Sequence, residues 1–127
     1  MQDERIWVEP VGSVIVARVR GKPTADLLRE CEARVLELAR DTRHIRVLYD
    51  ALELDPPEMD LVLLQKQLAS DRKDSIGAAS LRTAIVVPNT KIAYLSRIAF
   101  GHAGEANYQV FYNDLSAALR WLDASGT

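Results

Sequence analysis

The segment VLYDALELDPPEMD, from Val47 to Asp60, runs from apolar residues into Asp50, Glu53 and Asp55. Carboxylates grouped in this way can hold a divalent cation or act as general acid and base. No DxDxDG-type calcium loop is present, and no histidine stands nearby in sequence to complete an acid–base pair. The plainer reading has Asp50 capping a turn while its neighbours face water.

The other reactive side chains are scattered. His44 precedes one apolar run, and His102 lies in GHAGEAN beside Glu105 and Asn107. That H-x-x-E spacing falls in a glycine-containing loop rather than on a helix, so it makes no metal site. Cys31 shares helical spacing with Leu27, Leu28 and Val35, which predicts burial rather than an exposed, electropositive thiol. Ser70, Ser75, Ser80 and Ser96 lack a nucleophile-elbow context. The run GKPT lacks the upstream glycine of a phosphate loop, and its proline removes an N–H that would hold phosphate. No catalytic residue, metal or cofactor is therefore expected, and an enzyme ranks last among the function classes.

The elements that position these groups follow from periodicity and punctuation. Ile6–Val8 and Val14–Val19 read as strands joined through Pro10 and Gly12, an antiparallel hairpin. A helix starts near Pro23 or Thr24, with Asp26 in its first turn, and runs to about Arg40. Ile45–Tyr49 and Thr83–Val87 are short apolar strands suited to the centre of a sheet. Between them the pattern predicts a helix from about Glu58 to Asp71 and a polar connector over residues 72–81. Asn89 or Thr90 can cap a helix from Lys91 to Phe100, stopped by Gly101 and Gly104. Gln109–Tyr112 is a last strand, and Asn113 or Asp114 caps a helix through Leu122. The order β-β-α-β-α-β-α-β-α implies an α/β fold: a mixed, mostly parallel sheet of about five strands with four helices. The whole chain, residues 1–127, reads as one domain.

Composition narrows the partners. The chain has 127 residues, 27% of them charged, and a net charge of −2. Basic residues are matched by acids along the chain, so nothing drives it toward nucleic acid. The N-terminus has no apolar signal core, and no stretch approaches a membrane span. A lone cysteine cannot form an internal disulfide. These features predict a cytoplasmic protein.

Two helices carry more apolar surface than one buried stripe needs. In the first, Leu61, Leu64 and Leu68 form a stripe, and Val62 and Leu63 lie off it. The excess fits burial on two sides, a homodimer contact, or the cover of an apolar ligand pocket. In the second, Ile92, Leu95, Ile98 and Ala99 share a face, with Tyr94 at its edge. Tyr94, Ile98 and Phe111 would then line the pocket, with Lys91 or Arg97 on a charged rim.

Several segments resemble one family. VARVRGKPTADLL, HIRVLYDA, LRTAIVVPN and VFYNDLSAALRWL are similar to the strands, turns and closing helix of the SpoIIAA-like fold of STAS domains, including the STAS/SEC14-type group. The resemblance implies a non-catalytic regulatory or protein-interaction module. It also implies a phosphorylatable serine after the central strand, in a D-S-[ST]-G-like turn. Here Asp50 matches the acid, but Ala51, Leu52 and Glu53 follow, and alanine and leucine carry no hydroxyl to accept phosphate. The expected binding surface is Asp50, Glu53 and the helix bearing Leu61, Val62 and Leu63. A protein partner or a second copy of the chain would bind there. The alternative is a carrier or sensor of a small, lipid-like apolar ligand.

Overall fold

The computed structural model describes residues 5–42, 46–75, 82–100 and 108–124. Among these residues the elements are β1 (Ile6–Val11), β2 (Val14–Val19), α1 (Ala25–Thr42), β3 (Arg46–Asp50), α2 (Met59–Ser75), β4 (Arg82–Val87), α3 (Thr90–Phe100), β5 (Tyr108–Tyr112) and α4 (Leu115–Ala124). They form one sheet in the order β1-β2-β3-β4-β5, with β1 antiparallel to β2 and the other pairs parallel. This is the mixed, mostly parallel α/β sheet of five strands with four helices that the element order implies.

Local chemistry sets the boundaries. Gly12 opens the hairpin turn at φ +61°, a conformation that glycine adopts without Cβ strain. β1 runs past the expected end at Val8, through Pro10. An edge strand tolerates proline because the missing N–H faces no partner. Thr24 caps α1, its Oγ1 accepting from the Leu27 N–H at 3.2 Å. Asn89 does the same for α3 through the Ile92 N–H at 2.9 Å, and Asp114 for α4 through the Ala117 N–H at 2.9 Å. Asn113 enters the turn before α4 at φ 50°, a conformation asparagine tolerates. α2 extends to Ser75, beyond the expected end at Asp71, because Arg72, Lys73 and Asp74 contain no helix breaker. The rest of that connector, the Gly101 and Gly104 stop, and both histidines lie outside the described residues.

Strands laid down in one direction, with right-handed crossovers, place α1, α2 and α3 on a single face. α1 packs on β1 and β2, and α3 on β4 and β5. α2 makes its packing contacts with α1 and α3. It therefore spans the gap above β3 instead of lying on the sheet. The main core on this face joins Ile15, Ala17, Val47, Tyr49, Ile85 and Val87 to Leu27, Cys31, Val35 and Ile92. α4 covers the other face, where Leu48, Ala84 and Val86 meet Ala118 and Leu122. Trp121 completes that layer. Its ring meets Phe111 at a tilt of 59° with centres 5.9 Å apart, and the Arg82 guanidinium lies 3.5 Å from its ring centre. Burial, and then neighbouring Arg46, hold Arg82 below the usual arginine pKa.

Candidate functional site

Asp50 ends β3 and is buried. Its Oδ2 accepts from the Arg18 Nε at 3.1 Å, and its Oδ1 from the Leu52 N–H at 3.1 Å. The second contact is an Asx-type turn, the capping role expected from sequence. Ala51 is buried and its N–H donates to the Val86 carbonyl, so the turn begins as an extension of the sheet. Gly21 then clamps the far side. Its N–H donates to the Glu53 carbonyl at 2.9 Å, and its carbonyl accepts from Asp55 at 3.0 Å. Gly21 sits at φ +74°, where any Cβ would be strained. The turn after β3 is thus fastened to the end of the hairpin, and Glu53 is held beside it.

Beneath α2 lies an apolar cavity of about 90 Å³. Its floor is Ala17, Val19, Tyr49, Ala51 and Ile85 on the sheet, and its walls include Cys31 from α1 and Ile92, Leu95, Ser96 and Ala99 from α3. Leu61, Val62 and Gln65 close it from α2. It exists because α1 and α3 stand on the flanks of the sheet and α2 bridges them over a floor that includes the small side chains of Ala17 and Ala51.

A polar cluster closes one side of this cavity. Glu32 of α1 is buried and accepts hydrogen bonds from the Tyr49 hydroxyl and from the Gln65 amide, the latter at 2.9 Å. The three residues come from α1, β3 and α2, so the cluster ties the bridging helix to the sheet and to its neighbour. Sequence reasoning missed it. Glu32 follows Leu28 and precedes Val35 at helical spacing, which was the available signal for an inward-facing acid.

The structure redistributes the expected site residues. Asp50, Glu53 and Leu61 do gather around the strand end and cavity. Val62 is buried against Leu95 and Ala99 of α3, at the centre of the α2 contact rather than off it. It cannot present itself to a partner on the surface. Leu63, one residue on, is 52% exposed. Tyr94 is 61% exposed and Arg97 is exposed, because Ile92, Leu95 and Ala99 set the inner face of α3. Phe111 lies across the sheet with Trp121, since alternation along β5 sends Val110 to the α3 side. The pocket expected from Tyr94, Ile98 and Phe111 is therefore not assembled from those residues. Cys31 is buried, as its spacing predicts.

A family model described as SpoIIAA-like matches residues 14–123, so the chain belongs to the SpoIIAA-like (STAS) family. Among solved structures, its fold is similar to that of the anti-sigma factor antagonist SpoIIAA in its unphosphorylated form. The TM-score is 0.66 and the identity 12%, covering 94% of this chain and 96% of that one. At that identity the likeness is one of fold. No curated protein matches the sequence. Among the described residues, no helix is long and apolar enough to cross a membrane.

Proposed function

We propose that this chain is a non-catalytic, cytoplasmic regulatory module that works by docking a protein, without a phosphorylated hydroxyl on the turn after β3. The observation that carries this reading is the turn itself. Asp50 keeps its structural place, yet Ala51 is buried, and Leu52 packs toward the α4 core where a phospho-acceptor would need to meet solvent. No residue from Asp50 to Asp60 is a serine, threonine or tyrosine. Docking then falls to what the turn and α2 expose: Glu53, Met59 and Leu63, with Tyr94 on α3. A second copy of the chain is one partner this surface can take, through Leu63 and Met59.

Replacing exposed Leu63 with Asp tests the surface without touching the core. L63D is expected to keep the wild-type unfolding midpoint, within about 0.5 kcal/mol. By light scattering it should run as a monomer where the wild type is expected to be a dimer, and it should lose the partners captured from the native cell. A variant that retains both would refute the α2 surface.

The cavity supports a second reading, the carrier or sensor of a small apolar ligand. Its lining is almost wholly apolar, as such sites are. A volume of about 90 Å³ admits a short hydrocarbon group as it stands. A lipid-length chain requires α2 to lift from α1 and α3. Native mass spectrometry of protein purified from its own cells should reveal a co-purifying apolar mass. Protein that is ligand-free, with no thermal shift from fatty acids, would exclude this reading.

A further inference from the structure

The hairpin assembles a basic, aromatic hollow that linear spacing conceals. The register sets Trp7 opposite Arg18, and the Arg20 N–H donates to the Arg5 carbonyl at 2.9 Å. Alternation then places Arg5, Trp7, Arg18 and Arg20 on one face. It is the face that α4 covers further along, but α4 packs over β3, β4 and β5, so among the described residues no helix covers this end. The resulting hollow has a volume of about 250 Å³ and is lined by Arg5, Ile6, Trp7, Arg18 and Arg20.

Arg5 also lines the hollow but directs its Nη1 to the Lys22 carbonyl at 3.1 Å, so the forks open to an anion are those of Arg18 and Arg20, and an anion between them is drawn to both. Each guanidinium presents a planar fork that matches a phosphate or carboxylate edge. Arg18 is already oriented, with its guanidinium carbon 5.9 Å from the Trp7 ring centre and its Nε on Asp50. Its side chain remains 47% exposed, so the rest of the fork faces solvent. Arg20 is exposed beside it. The chain as a whole carries a charge of −2, which favours a compact anion over a polyanionic backbone.

We propose that this hollow binds a small phosphate-type oxyanion, held by Arg18 and Arg20 beside Trp7, in competition with Asp50 for Arg18. The competition links the hollow to the turn after β3, because the other oxygen of Asp50 holds the Leu52 N–H. An anion that draws Arg18 away loosens one anchor of that turn, and by linkage the state of the turn alters anion affinity. Charge would then reach this end of the sheet by binding, independently of which partner the module docks.

The test is an NMR titration with inorganic phosphate, set against chloride at matched ionic strength. The two tryptophans give two indole N–H signals, and Trp7→Phe assigns them. The Trp7 signal should shift saturably with phosphate, as should the Leu52 amide, while the Trp121 signal stays still. Arg20→Gln, at an exposed position, should weaken binding roughly fivefold or more. Asp50→Asn removes the competitor and should tighten binding about two- to fivefold. If Asp50→Asn does not fold, Arg18→Gln supplies the second arm and should weaken binding as Arg20→Gln does. A parallel titration with phosphatidylcholine vesicles carrying phosphatidic acid distinguishes a lipid headgroup from free phosphate, and saturable binding of either supports the site. No saturable shift beyond chloride with either probe, unchanged affinity in Arg20→Gln, or weaker binding in Asp50→Asn would overturn it.

Discussion

Ile85→Ala should destabilise the protein by about 3 kcal/mol, measured by urea unfolding, and make it responsive to small apolar molecules. Ile85 sits on β4, inside the sheet, is among the most completely buried side chains, and forms part of the cavity floor. Truncating it removes buried methyl and methylene groups and extends a void that already exists. The surroundings collapse poorly there, because the floor is sheet backbone and the roof is a helix bridging two others. The enlarged space approaches the size, about 150 Å³, at which an engineered apolar cavity takes up benzene. Benzene should therefore raise the unfolding midpoint of Ile85→Ala more than that of the wild type. A cost below about 1 kcal/mol would mean that α2 settles onto the sheet when space is made. The bridging geometry, and with it the ligand reading, would then fail.

The contrast between what was and was not legible in the sequence follows from interaction range. Thr24, Asn89 and Asp114 announce helix starts because a cap bonds within three residues of itself, so type and spacing suffice. The alternation of β2 and the apolar runs of β3 and β4 fixed the order, and right-handed crossovers did the rest. α2 was harder. Five apolar residues in a short span suggested a stripe at Leu61, Leu64 and Leu68, but the inward direction of a helix is set by where its neighbours stand. α2 leans on α3 through Val62, and that choice exposes Leu63. Phe111 was misplaced for a related reason. Strand alternation gives two sets of residues but not which set faces which helix layer.

Charge was the least legible layer. Counted along the chain, arginines are balanced by acids, and no basic run stands out. The hairpin register folds residues 5 and 7 against 18 and 20, so four side chains separated by a turn become neighbours. Asp50 joins them from a third strand, paired in register with Arg18. A period-2 reading of both strands contains the pattern, but only once the turn at Gly12 fixes the register. Glu32 is similar: an acid at an inward helical position is ambiguous until Tyr49 and Gln65 arrive from other elements.

That polar cluster makes the second large prediction. Tyr49→Phe keeps the ring and its packing and deletes one hydroxyl. The buried carboxylate of Glu32 then loses a charge-assisted donor and keeps the Gln65 amide. Leaving a buried charged acceptor short of a partner costs about 2 kcal/mol, well above the typical effect of removing a neutral, exposed hydrogen bond. The loss should be local as well as global. Gln65 holds α2 to the same oxygen, so amide exchange in α2 should accelerate more than in β3 or α1. Tyr49→Phe and Gln65→Met should be strongly non-additive, since both remove donors from one carboxylate oxygen. Adding Glu32→Met to that pair should restore part of the loss, because it removes the buried carboxylate together with the two donors it has lost. If Tyr49→Phe instead stays within about 0.5 kcal/mol of the wild type, water or a shifted α2 satisfies Glu32. The cluster would then be a consequence of α2 docking rather than the fastening that holds it over the cavity.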